Sequence, residues 1–238
     1  VTQATRLDRP SETVAERPLV FVTLGAPGAG KGTQALRLAK ELGLPHISTG
    51  DLFRASLRDG SALGDEVRKY VEKGILVPDL LTMRVVEERF AQPDAIAGAV
   101  LDGFPRTRPQ AEALDVLLAR QDAHVAAALY IEVDTPELVQ RLAGRRVCSG
   151  TQQHVYNLAT RPPRAAGVCD LDGSALEQRP DDRPATISAR LARQLPPMYE
   201  VVDHYTETGV LHAVRGDRPM DEVTADLLRV ADRAAKRA

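Results

Sequence analysis

Gly25-Ala26-Pro27-Gly28-Ala29-Gly30-Lys31-Gly32-Thr33 is the stretch on which the reading of this chain turns. It follows the pattern G-x-x-x-x-G-K-[ST], with Gly32 inserted between Lys31 and Thr33. Leu19-Val20-Phe21-Val22-Thr23-Leu24 runs into it, apolar and β-branched, as a buried strand does. Gln34 to Leu42 runs out of it with apolar residues at helical spacing, and Gly43 marks the helix end. Strand, glycine-rich turn and helix are the context a phosphate-binding loop requires. The glycines let backbone N–H groups converge on an anion. The helix start adds free N–H donors and the positive end of its dipole. Lys31 brings a mobile charge for the β- and γ-phosphates of a nucleotide.

Outward from the loop, strands and helices alternate. Ala99-Val100-Leu101-Asp102 reads as a short buried strand, followed by a helix to about Arg120. Val125 to Val133 is a strand, and Asp134-Thr135-Pro136-Glu137 opens the next helix. This alternation predicts an α/β fold with a P-loop NTPase-type parallel sheet flanked by helices. Two stretches interrupt it. Residues 48–77 read as a small all-helical insertion, with Ile75-Leu76-Val77 as an apolar triplet at its end. Residues 144–182 are rich in turns with short β-like pieces, as a lid is. The core is expected over 18–47, 78–143 and 183–238. The helical stretch from Thr186 to about Glu207 is expected to break at Pro196-Pro197, and Asp221 to Lys236 reads as a C-terminal amphipathic helix.

With 238 residues, 43% hydrophobic and 27% charged, the composition is that of a globular domain. A net charge of −2 argues against a general nucleic-acid surface. No apolar run reaches the roughly 18 residues of a membrane span. Cys148 and Cys169 are the two cysteines, and their scarcity fits a reducing cytoplasm. Residues 1–17 mix Arg6, Arg9 and Arg17 with Asp8, Glu12 and Glu16, lack the apolar centre of a signal peptide, and read as a disordered extension.

Arg54, Arg106, Arg141, Arg145, Arg179 and Arg190 stand at element ends or at the edges of the two insertions. Singly, each reads as a surface residue. Together with a phosphate loop they imply a site crowded with phosphate, since guanidinium pairs phosphate oxygens two at a time. A phosphate-monoester acceptor needs no general base, which agrees with the lack of a Ser-His-Asp set. Asp102 ends a strand beside Gly103, where a Walker-B-type carboxylate orders Mg2+ and its waters. Asp51 is read the same way, with helix N-capping as its alternative.

Five stretches in order resemble the adenylate kinase family: the loop at 25–33, Ile-Ser-Thr-Gly-Asp-Leu-Phe-Arg at 47–54, Leu-Asp-Gly-Phe-Pro-Arg-Thr at 101–107 with Gln110, Gly-Arg-Arg-Val at 144–147 and Asp-Asp-Arg at 181–183. The resemblance implies a monomeric enzyme that catalyses Mg·ATP + AMP ⇌ 2 ADP. By that resemblance Gly28, Ala29, Gly30, Lys31, Gly32 and Thr33 hold the ATP phosphates. Thr49, Arg54, Ile75, Leu76, Val77, Gly103, Phe104, Pro105, Arg106 and Gln110 face AMP, joined by Arg179 and Arg190. Arg106, Arg141, Arg145, Arg179 and Arg190 close on the transferring group with Lys31. Val155, Tyr156 and the backbone near Arg218 take the ATP base. Residues 48–77 become the AMP-binding domain and 144–182 the lid. Many family lids hold Zn2+ through two Cys-x-x-[Cys/Asp] pairs. Here those positions read Cys148-Ser-Gly-Thr151 and Cys169-Asp-Leu-Asp172. The expectation is a lid held by hydrogen bonds without zinc, with Cys148, Thr151 or His154, Cys169 and Asp172 as the ligands if one is bound. The chain also looks shortened near Gln194–Pro197 against the family. A kinase of another nucleoside monophosphate is the near alternative, and a non-enzymatic nucleotide-binding module the distant one. A guanine-type Asn-Lys-x-Asp motif is missing from the sequence.

Overall fold

The computed structural model describes residues 17–150 and 154–237. The expectation for residues 1–17 therefore lies outside the described residues, apart from Arg17, and so does Thr151.

Five parallel strands form the central sheet: β1 (Leu19–Leu24), β2 (His46–Ser48), β3 (Gly98–Asp102), β4 (His124–Glu132) and β8 (Leu211–Arg215). Their spatial order is β2-β3-β1-β4-β8. Because β1 is central and covered on both faces, its residues are almost all apolar, as parallel strands require. Phe21 packs on one face with α1 (Lys31–Leu42), α6 (Thr135–Gly144) and α8 (Met220–Ala235). Val20, Val22 and Leu24 pack on the other with α4 (Asp79–Phe90), α5 (Arg108–Ala119) and α7 (Pro184–Glu207). The period-two alternation of one strand thus builds both halves of a three-layer core. Side chains such as Leu114, Leu118 and Leu129 are fully buried, each worth roughly 1.5–3 kcal/mol of burial.

Chain order places the site. From β1 the sheet grows toward β3 on one side and β4 on the other, so a crevice opens beyond its carboxyl end. Thr23 is in register with Asp102, and Ser48 with Asp102 in turn, so three strand ends meet there.

Between β2 and α4 lie α2 (Thr49–Arg58) and α3 (Ala62–Val71). Ser48 caps α2 by accepting from Asp51 N, and Ser61 caps α3 by accepting from Gly64 N. Phe53, Val67, Val77, Leu81 and Val85 form a separate small core beneath them. Between α6 and α7, a three-stranded antiparallel sheet is built from β5 (Arg145–Cys148), β6 (Val155–Asn157) and β7 (Leu176–Glu177). The predicted break at Pro196-Pro197 does not occur. Helix α7 runs through both prolines. Leu191, Gln194, Met198, Val201 and Tyr205 are buried along it, and that packing overrides the lost backbone bonds.

Candidate active site

The loop starts where β1 ends. Gly25 has φ 145°, and a Cβ there would sit 2.7 Å from Ile131 O, so only glycine fits between the two strands. At Gly32 a Cβ would meet Asp102 Oδ2 at 3.0 Å. The odd glycine of the motif thus lets the start of α1 lie against the Asp102 carboxylate. Lys31 Nζ donates to Ala26 O at 3.0 Å. Burial of its ammonium pulls the Lys31 pKa down to about 7, with Arg106, Arg190 and Arg145 adding to the fall and Asp102 opposing it. Burial works against the Asp102 charge, yet His46 and Lys31 hold its carboxyl below the usual carboxylate range. His46 Nε2 lies 3.6 Å from Asp102 Oδ2. Asp51, the other expected carboxylate, is exposed and takes Arg54 as its partner.

Two cavities open beyond the sheet, with empty volumes of about 540 and 460 Å3. The first is lined by Thr49, Arg54, Ile75, Leu76, Val77, Gly103, Arg106 and Gln110 among others. The second is lined by Gly25, Pro27, Lys31 and Pro105 among others. Leu76, Gly103, Arg106, Arg190 and Gln194 belong to both, so the cavities share one wall. Phe104 is buried beside them, and the Phe104–Pro105 bond is cis. The wall is held from behind. Thr49 Oγ1 donates to Gly103 O at 2.9 Å, and Arg106 Nε donates to the same oxygen at 2.6 Å.

Arg106, Arg145, Arg179 and Arg190 gather near Asp181 and Asp182. Fully buried Asp182 accepts from Arg145 Nε and Nη2, both at 2.6 Å, and from Arg190 Nη1 at 2.8 Å. Asp181 lies 3.0 Å from Arg190 Nη1. These two acids cannot balance all the cations. Burial, then Arg190, lowers Arg106 to about 10. Burial, then Arg54 and Arg145, lowers Arg179 to about 9. The Nε atoms of Arg179 and Arg190 are buried without a hydrogen-bond partner. Such a surplus of desolvated guanidinium is stabilised by a polyanion.

On the loop's far side Arg141 Nε donates to Glu137 Oε1 at 2.8 Å, and its Nη2 donates to Gly216 O at 3.0 Å. It thereby ties α6 to the turn that carries Arg218. The Arg218 side chain itself turns away to Asp226. Val155 is partly exposed, whereas Tyr156 is buried and its hydroxyl accepts from Asp170 N at 2.8 Å.

Comparison with known proteins is consistent with this geometry. The family model described as "Adenylate kinase" matches residues 23–210. An adenylate kinase of Exiguobacterium sibiricum is 47% identical over 207 residues, covering 87% of this chain and 96% of that protein. One from Staphylococcus epidermidis is 44% identical over 214 residues, covering 89% and 98%. One from Staphylococcus aureus is 42% identical over 212 residues, covering 89% and 98%. The chain belongs to the adenylate kinase family. Its activity is phosphotransfer of the adenylate kinase type, between ATP and AMP.

The small sheet of β5, β6 and β7 holds a cluster of some interest. Ligand atoms of Cys148, His154, Cys169 and Asp172 all lie within 4.8 Å of one another. Strand pairing makes it: Cys148 N donates to His154 O at 3.0 Å across β5 and β6, and His154 N approaches Cys148 Sγ at 2.9 Å. His154, one of the two residues weighed for the second ligand, belongs to the cluster, and Thr151, the other, lies outside the described residues. Both thiols are free and buried. Burial pushes the Cys148 thiol up, while Ser174 holds the Asp172 carboxyl well below the usual range.

Several residues of this adenylate kinase site carry no sequence signal strong enough to single them out. Gln194 lines both cavities and donates from Nε2 to Gly74 O at 2.7 Å, yet mid-helix it reads as any polar residue. Asp181 and Asp182 were visible only as part of the Asp-Asp-Arg stretch, without a role. His46 follows a proline before a short strand, which says nothing of the carboxylate it meets.

Proposed function

We propose that the two cavities hold ATP and AMP at once, with their phosphates meeting at the wall of Arg106 and Arg190. That shared wall is the observation that carries the reading. Gly28, Ala29, Gly30, Lys31, Gly32 and Thr33 take the ATP β- and γ-phosphates. Arg141, Val155, the backbone of Tyr156 and the turn at Arg218 take the rest of that nucleotide. Thr49, Arg54, Ile75, Leu76, Val77, Gly103, Phe104, Pro105 and Gln110 enclose AMP. Arg106, Arg145, Arg179 and Arg190 surround the phosphoryl group in transit, and Asp181 and Asp182 set their angles. The acceptor oxygen of AMP is already anionic, so positioning and charge stabilisation suffice. Mg2+ bound with ATP supplies charge neutralisation on its phosphates. Asp102 is the carboxylate suited to ordering it, because its oxygen lies against the loop helix and stays ionised.

Residues 48–77 and 144–182 are read as the AMP-binding domain and the lid. Their closure excludes water, so that the phosphoryl group reaches AMP instead of being hydrolysed. The lid cluster is read as a structural zinc site, revising the metal-free expectation. Two thiols, an imidazole and a carboxylate are a zinc donor set, and Cys148, His154, Cys169 and Asp172 supply one each. A reducing cytoplasm and a monomeric state complete the proposal.

A coupled assay with ATP and each nucleoside monophosphate tests it. AMP is expected to give ADP far above the ATP-only background, and Arg106→Ala to lower turnover on the order of 100-fold or more with the melting point kept. Near-normal turnover in that variant removes Arg106 from the transfer site.

A further inference from the structure

Gln110 lines the first cavity with an amide whose orientation its neighbours dictate. The Arg106 backbone N–H can only donate, and it donates to Gln110 Oε1 at 2.8 Å. The Asp79 carboxylate can only accept, and Gln110 Nε2 donates to its Oδ1 at 2.7 Å. Rotating the amide by half a turn would face two donors at Arg106 and set oxygen against carboxylate at Asp79. Asp79 is fixed in turn. Thr107 Oγ1 donates to Asp79 Oδ2 at 3.0 Å while accepting from Gln110 N at 3.3 Å. The ring is closed, and Gln110 is only 2% exposed.

An amide offers two acceptor sites on oxygen and two N–H donors. Arg106 and Asp79 take one of each. One acceptor and one N–H remain for the cavity. That pair complements a base with an amino donor beside a ring-nitrogen acceptor, which is the edge of a 6-aminopurine. A 6-oxopurine offers the reverse, a carbonyl acceptor beside a ring N–H, and it needs the turned amide. We propose that Asp79 determines base specificity by locking Gln110, so that the site takes 6-aminopurine monophosphates and rejects 6-oxopurine monophosphates. The proposal rests on reading this cavity as the AMP site. Asp79 acts through Gln110 and is a positioning residue.

The test is turnover of the full chain with AMP or IMP as acceptor, in the wild type and in Asp79→Asn. An asparagine amide can donate as well as accept, so the turned Gln110 amide gains a partner there and only the Arg106 N–H still opposes it. The AMP-over-IMP ratio of kcat/KM is expected to fall by about tenfold or more, with KM for ATP changed less than about twofold. A merely structural role would weaken both acceptors together and leave the ratio where it was. Asp79→Ser, equally able to donate or accept, is carried alongside and decides the matter if the first variant does not fold. An unchanged ratio in a folded variant overturns the proposal. A wild type that uses IMP as readily as AMP overturns instead the assignment of the cavity.

Discussion

Lys31 shows what one residue contributes when its environment is set against its charge. Its ammonium is desolvated and stands near Arg106, Arg190 and Arg145, so its pKa falls from 10.5 to about 7. In folding, the unfolded chain keeps this proton between about 7 and 10.5 while the folded chain has released it. Stability therefore rises with pH across that window, and the penalty is complete below it. In binding, the sign is opposite. A triphosphate favours the charged lysine, so at about pH 8 the nucleotide should draw a proton onto the protein, and at about pH 6 it should draw almost none. Calorimetric titration of a non-hydrolysable ATP analogue in two buffers of different ionisation heat measures this. Equal apparent heats at the higher pH would mean that Lys31 is charged in the empty site. At this scale the sequence told residue types well. Lys31 and Asp102 announce themselves because a motif or a strand end fixes their surroundings. Asp79, Gln194 and His46 do not, because their importance lies in partners far along the chain: Gly74 for Gln194, and Asp102 for His46.

Elements were legible where the chain's local preferences and its tertiary packing agree. The alternation of β1, α1, β3, α5, β4 and α6 follows from apolar runs, glycine stops and proline starts that all favour the same conformation. Helix α7 is where they disagree. Pro196 and Pro197 predict a break, since each lacks an N–H and crowds the carbonyl four residues earlier. The helix continues because its buried stripe, from Leu191 through Met198 to Tyr205, packs against both the sheet and α5. The prolines are then a local cost that packing offsets. Pro196 is exposed, so replacing it removes no core contact. Pro196→Ala should restore one helical bond and raise the unfolding free energy by about 2–2.6 kcal/mol. That is the roughly 3 kcal/mol helix penalty of proline, less its entropic effect on the unfolded chain. Urea unfolding with an unchanged slope is the measurement. A loss of stability would mean that α7 is bent at Pro196 in a way that packing needs.

Across the whole molecule the cores are unequal, and that inequality makes the segment of β5, β6 and β7, proposed above as the lid, the part most in need of a staple. The sheet has a full hydrophobic cluster on each face. The lid has Cys148, Tyr156 and Cys169, with Leu176 against them, and a sheet of short strands. So little apolar area cannot offset the ordering of its chain. Cross-linking by a metal would, because binding free energy becomes folding free energy when the ligands are scattered in the unfolded state. Sequence spacing named the candidate ligands but could not choose between Thr151 and His154. Thr151 stands where a family ligand would, and His154 reaches the cluster only through the pairing of β5 with β6. The expected outcome is about one zinc per chain in protein purified without added metal. Cys169→Ser should lose the metal and melt several degrees lower, while turnover at about 25 °C falls less than tenfold, since none of the four cluster residues lines either cavity. Metal analysis and melting curves with and without a strong chelator decide it. Metal-free protein whose melting is indifferent to the chelator would return the lid to its hydrogen bonds. Asp172 accepting from Ser174, Tyr156 accepting from Asp170 and the pairing of β5 with β6 and β7 would then hold it.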